Sequence, residues 1–221
     1  DRGSALELQP TFGKSVITSL ARLDGRPVGV IANNPMIYGG AMDHKARKQI
    51  HFTELCDTFH IPIVFLVDQP GFMVGPQAEM AGTLREGMRA VYVGAEATVP
   101  IVTVVIRKCY GMAGMAACDK AGLNFKVAWP SAEIGNLPVE GGVRAAFRRE
   151  IESAEDPAAR QVEIEDELRA LASPFRMAEA FAVEDMIDPR ETRAYLCRVL
   201  AAAESRLKTT LGPKFQSGVR P

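Results

Sequence analysis

Three short, almost wholly apolar runs constrain this chain more than any other feature. Ile61 to Val67, Ile101 to Ile106 and Phe125 to Trp129 have strand length, and the first two are rich in Val and Ile. Runs of this kind suit strands buried on both faces, as in parallel sheets covered by helices. One helical pattern precedes the first run and another lies between the first two. Asp43 can cap a helix to about Phe59, with Ala46, Ile50, Leu55, Cys56 and Phe59 near helical spacing. Pro76 opens a second helix to about Ala97, with Met80, Leu84, Met88, Val91 and Tyr92 on one side. Strand, helix, strand, helix, strand predicts an α/β fold with mainly parallel strands and crossover helices.

Upstream, Ile17 to Leu23 and Pro27 to Ala32 flank Asp24-Gly25, a pair that favours a hairpin turn. Asn33-Asn34-Pro35 then breaks the pattern. Downstream of Glu140 the chain reads as helical. Pro157 to Leu171 is charged and Ala-rich, Ser173-Pro174 interrupts, and Glu179 to Val183 continues weakly. Pro189 starts a last helix to about Leu207, and Lys208 to Pro221 reads as a polar tail. No internal repeat is visible.

The net charge of -1 over 221 residues points to no nucleic-acid partner, and no apolar run approaches the roughly 20 residues of a membrane span. Cys56, Cys109, Cys118 and Cys197 make no CxxC pair, which suggests reduced thiols. With His44, His51 and His60 they give no zinc spacing, so no metal is expected.

Most catalytic templates are absent: there is no GxSxG, Walker loop or GxGxxG. Asp43-His44 and Glu133 are the acid-base candidates, although acidic residues near element ends are commonly caps. Two loops stand out because each follows a buried strand, where α/β sheets bind ligands. They are Pro70-Gly71-Phe72-Met73-Val74-Gly75 and Tyr110-Gly111-Met112-Ala113-Gly114. Small residues let backbone N–H groups face a ligand, and a helix starting near Ala113 would add its dipole. Together they suggest an oxyanion hole able to stabilise an enolate. A tight strand-to-helix turn without a ligand is the alternative.

Read in order, several segments resemble the carboxyltransferase subunits of biotin-dependent acyl-CoA carboxylases. They include Ala21-Arg22-Leu23-Asp24-Gly25-Arg26-Pro27-Val28, Cys56-Asp57-Thr58-Phe59-His60-Ile61-Pro62 and Val67-Asp68-Gln69-Pro70-Gly71-Phe72. Arg107-Lys108-Cys109-Tyr110-Gly111, Ala128-Trp129-Pro130-Ser131-Ala132-Glu133-Ile134 and Ile187-Asp188-Pro189-Arg190 continue the likeness. The resemblance covers nearly the whole chain, but only the second half of such a subunit. It implies a crotonase-like α/β superhelix of repeated ββα-type units with C-terminal helices. Residues 1–221 would be one carboxyltransferase domain, with about 1–15 at the junction between halves and 208–221 a tail.

The family chemistry implied is transfer of a carboxyl group from carboxybiotin, borne on a carrier protein, to the α-carbon of an acyl-CoA. The cofactor does the hard chemistry and the protein orients it. Met112 and Ala113 would supply backbone N–H donors to the biotin carbonyl. Gly71, Phe72, Tyr110, Gly111, Gly114 and Met115 would shape the substrate site, Met115 at a position tied to acyl-chain selection. Many members have Gly where Met112 stands, and the segment Asp43 to Lys48 is shorter than in many. The implied partners are a biotin carboxylase or biotin carrier subunit, the N-terminal carboxyltransferase half, and further copies of the subunit in a hexamer. The implied location is the cytoplasm, or the mitochondrial matrix in a eukaryote. Two alternatives stand beside the carboxylase: a biotin-dependent decarboxylase or transcarboxylase of the same family, and a non-catalytic assembly or carrier-docking subunit.

Overall fold

A computed structural model describes residues 1–117 and 124–212, without the side chains of Met115 and Glu140. Cys118 and most of the expected tail lie outside the described residues. Eight strands form one sheet. It opens with β1 (Leu6–Leu8), β2 (Val16–Leu23) and β3 (Arg26–Asn33), paired antiparallel. Asp24 and Gly25 turn the β2–β3 hairpin, both at positive φ (53° and 76°), the backbone that a two-residue hairpin turn requires.

From β3 onward the pairing is parallel. A 3-10 turn at His44–Arg47 leads into α1 (Lys48–Thr58), then β4 (Ile63–Gln69) beside β3. The expected helix from Asp43 is thus two pieces. Asp43 caps the 3-10 turn, accepting from Lys45 N at 2.9 Å. The second expected helix also divides, into α2 (Pro76–Met80) and α3 (Thr83–Glu96), because Gly82 takes φ 78°, outside helical space. β5 (Ile101–Tyr110) follows beside β4 and runs four residues beyond its expected end. A short α4 (Gly111–Met115) leaves it. β6 (Phe125–Ala128) pairs with the first half of β5, and β7 (Glu133–Gly135) with Lys108–Tyr110 at its end.

The core lies between the sheet and α1, α3 and α4, around Ile31, Phe52, Ile63, Val67, Val105 and Cys109. On the opposite face Val64, Val102, Val104 and Val127 pack against Ile187 and Leu196. Beyond β7 come α5 (Val139–Ala146), α6 (Arg148–Ser153) and α7 (Pro157–Leu171), the last with its expected bounds. α5, α6 and α7 close a small core of Val139, Val143, Ile151 and Ile164. Instead of weak helix over Glu179 to Val183, the chain forms α8 (Pro174–Glu179) from the Ser173-Pro174 break, Pro174 sitting in the first turn where it is tolerated. β8 (Asp185–Met186) joins the sheet beside β6, and α9 (Thr192–Thr209) ends the described chain.

The inward face of α3 is Thr83, Glu86, Gly87, Ala90 and Val93. Of the expected apolar side, Val91 packs against the cluster of Ile50, Ala90 and Val93, while Met80, Leu84, Met88 and Tyr92 are between 41% and 82% exposed. Small residues let α3 lie close to the core, so the bulky side of the pattern is the outer one.

No helix among the described residues is long and apolar enough to cross a membrane. The described residues also contain no group of three or more His, Cys, Asp or Glu placed to hold a metal. Cys56, Cys109 and Cys197 are free thiols.

Candidate functional site

Both loops singled out in the sequence leave the same edge of the sheet, because β4 and β5 are neighbours and parallel. Just before the first loop, the Asp68 carboxylate accepts from Arg107 Nε and Nη2, both at 3.1 Å, and from Lys108 N at 3.2 Å. This charge-assisted fork fastens the ends of the two strands. Sequence reasoning did not single out that pair; its signal is a charged residue just past each of two buried apolar runs.

Pro70-Gly71-Phe72 is pinned from two sides. Gly71 takes φ 131°. Its carbonyl accepts from Met42 N at 3.0 Å, and Met73 N donates to Met42 O at 2.9 Å. Gly40 allows this approach, since a Cβ there would run into the Asp68 carbonyl. On the other side the Phe72 ring lies against Gly87 of α3.

Tyr110 is buried and its hydroxyl donates to Glu133 Oε2 at 2.7 Å. That bond, with the β5–β7 pairing, fixes the point from which the second loop departs. Gly111 takes φ 63°, and a Cβ there would have nothing nearer than Asn136 O at 3.6 Å. The chain therefore turns directly from strand into α4 with the Asn136 carbonyl close over the turn. At Gly114 a Cβ would sit 2.9 Å from Cys109 Sγ, so this glycine is needed for α4 to settle on β5. Past α4, Gln49 Nε2 and Thr103 Oγ1 donate to the carbonyls of Ala116 and Ala117 at 3.0 and 2.9 Å.

The two loops touch: a Cβ on Gly71 would lie 3.9 Å from Tyr110 O. Gly71, Phe72, Tyr110, Gly111, Met112, Ala113 and Gly114 are thus gathered at one end of β4 and β5. Met112 is 41% exposed while Ala113 is buried. Met115 closes α4, but its side chain lies outside the described residues. The first-turn N–H groups of a helix have no acceptor within it. At α4 they include those of Met112 and Ala113, the hydrogen-bond type suited to a carbonyl or enolate oxygen.

The acid-base candidates have structural work instead. Asp43 caps a turn and Glu133 holds Tyr110. Cys109 is buried, and burial pushes its thiol up, which disfavours the thiolate form.

The sequence profile of the carboxyl transferase domain matches residues 1–217. The chain belongs to that family. Among its relatives, the methylmalonyl-CoA decarboxylase subunit alpha of Propionigenium modestum is 40% identical over 87% of this chain and 38% of its own length. The biotin-dependent acetyl-/propionyl-coenzyme A carboxylase beta5 subunit of Mycobacterium leprae is 36% identical over 99% of this chain and 41% of its own. Among solved structures, the transcarboxylase 12S hexamer with methylmalonyl-coenzyme A and methylmalonic acid bound superposes with a TM-score of 0.86. It is 38% identical over 99% of this chain and 42% of that one. The chain therefore spans about two-fifths of the length of these carboxyltransferase relatives, and its fold is their crotonase-like α/β fold.

The site fits a biotin ureido group on its donor set alone. Backbone N–H groups at α4 suit a neutral carbonyl oxygen, and Gly111 places no side chain over them.

Proposed function

We propose that this chain is the biotin-facing half of an acyl-CoA carboxyltransferase site. The observation that carries this reading is the turn at Gly111 within a carboxyl transferase domain. It sets a strand-to-helix corner, whose first-turn N–H groups have no acceptor within the helix, against the Gly71-Phe72 loop. Biotin on a carrier protein would supply the carboxyl group to be transferred. Met112 and Ala113 N–H would hold its ureido oxygen and stabilise negative charge as it develops there. Gly111 leaves the approach open, Gly71 and Phe72 wall it, and the Tyr110–Glu133 bond keeps the corner from shifting. No side-chain base is required of this half: it orients its partner and excludes water. The resemblance ties position 115, a Met here, to acyl-chain selection.

The acyl-CoA side would come from an N-terminal carboxyltransferase half, in a hexamer of the kind named for the transcarboxylase 12S relative. A biotin carboxylase or carrier subunit would deliver biotin. Residues 1–221 would act as a single domain in the cytoplasm or mitochondrial matrix. A second reading, decarboxylase or transcarboxylase, has support in the names of relatives about 40% identical.

The test is reconstitution. Alone, the chain should carboxylate no acyl-CoA, because water enters a site lacking one wall. With a polypeptide carrying the first half and with carboxylated biotin, transfer to an acyl-CoA should appear. Carboxyl release from a malonyl-type CoA in the same mixture would favour the second reading. Turnover of acyl-, enoyl- or malonyl-type CoA esters by the chain alone, without biotin, would overturn both.

A further inference from the structure

A hollow of about 430 Å³ opens between the segment after β1 and helices α1 and α3, its walls including Gln9, Phe12, Arg47, Lys48, Glu54 and Arg89. Lys48 is only 3% exposed. Its ammonium donates to the Gln9 carbonyl at 3.3 Å, the one acceptor it has among the described residues. An ammonium has three donors, and leaving them poorly matched away from water is costly. Burial accordingly pushes Lys48 below its ordinary range, with Glu7 pulling weakly the other way. Gln9, which offers that carbonyl, is held at φ 53°, a left-handed conformation that a non-glycine residue enters at a cost.

The other two cations are also held in place. The Arg47 guanidinium sits over the Phe12 ring, 5.5 Å from its centroid. Arg89 Nη1 donates to Glu86 Oε2 at 3.1 Å. Arg47, Lys48 and Arg89 line the hollow together with Glu54, and with Arg89 paired to Glu86 the cations that face it are chiefly Arg47 and Lys48.

We propose that this hollow binds a phosphate group, either free or as part of a larger phosphorylated ligand. A phosphate carries close to two negative charges and three oxygens in a tetrahedral spread, so it can meet cations arriving from separate elements. A carboxylate has one charge and two oxygens in a plane. Two planar guanidinium forks beside one compact ammonium are a donor set suited to phosphate. The site is independent of the carboxyl-transfer reading, and neither stands or falls with the other.

Calorimetric titration of the protein with inorganic phosphate, adenosine 3′,5′-bisphosphate and acetate tests it. Phosphate should bind saturably and acetate should not. Lys48→Met and Arg47→Ala should each weaken phosphate by about tenfold or more, the loss expected for one charged hydrogen bond. Arg47 is exposed, so its variant keeps the fold even if the buried Lys48 change does not. Bisphosphate binding more tightly than phosphate assigns the site to a larger ligand, and equal binding assigns it to free phosphate. Absence of saturation, equal binding of acetate, or an unchanged affinity in Arg47→Ala would overturn the proposal.

Discussion

The Phe72 ring occupies the space where Gly87 lacks a side chain: a Cβ on Gly87 would lie 2.5 Å from Phe72 Cζ and under 3 Å from two more ring atoms. Gly87→Ala sets two effects against each other. Alanine gains about 1 kcal/mol of helix propensity in α3. Overpacking typically costs about 1–3 kcal/mol, and here the ring must move. We expect a net loss of up to about 2 kcal/mol by urea unfolding. In the reconstituted enzyme, carboxyl transfer should fall as well, because Phe72 carries the Gly71 loop with it. A variant with unchanged midpoint and turnover would break the link between α3 and that loop.

At α4, Ala113→Pro removes one N–H while placing proline in the first helical turn, where the backbone tolerates it. Carboxyl transfer should drop about 100- to 1000-fold, the usual loss for one oxyanion donor, with the circular dichroism spectrum retained. Met112→Ala keeps its N–H and changes only an exposed side chain, so it should stay near wild type. If the two variants behave alike in the assay, the donors are elsewhere.

Burial pushes the Cys56 thiol up to about 12, from 9.0, with Asp57 adding to the effect. Because the folded-state value is the higher one, the associated stability is intact below pH 9. It is lost as pH rises toward 12, at no more than about 1.4 kcal/mol per pH unit. Urea unfolding at pH 8 and pH 10 should therefore show a larger decline in wild type than in Cys56→Ala. Equal declines would contradict this. In peptide mapping after alkylation at pH 8, Cys56 and Cys109 should stay unmodified while the half-buried Cys197 reacts.

The outward stripe of α3 bears on assembly. If the intact enzyme is a multimer, Leu84→Glu with Met88→Glu should lower its sedimentation coefficient. The unfolding midpoint of the chain should barely move, since both side chains are already exposed. A sedimentation profile like wild type would show that other surfaces, such as those of α5 to α7, carry the contacts.

What the sequence revealed follows how local each signal is. The runs at Ile61 and Ile101 announced β4 and β5, because burial on both faces leaves a continuous apolar stretch, and the shorter run at Phe125 announced β6, of which only Val127 and Ala128 are buried. Asp24-Gly25 announced the hairpin, because its backbone is needed there and almost nowhere else. The outward turn of Met80, Leu84, Met88 and Tyr92 was hidden, since periodicity shows that a helix has an apolar side but not whether this chain covers it. β7 and β8 are three and two residues long and exist only through their partners. Gly71 and Gly111 could be picked out from their places after buried strands, and the structure gathers their loops at one end of β4 and β5. The Asp68–Arg107 fork and the Phe72–Gly87 contact depend on the distance between segments, which no local pattern carries.

β5 changes neighbours along its length: β6 borders Val102–Val105, and β7 borders Lys108–Tyr110. The corner at Gly111 therefore takes its position from residues more than twenty places later in the chain. A ribosome that has released the chain only as far as residue 120 has made every atom of that corner and nothing to brace it. The corner must therefore wait for the segment carrying Glu133 to fold back before it is secured.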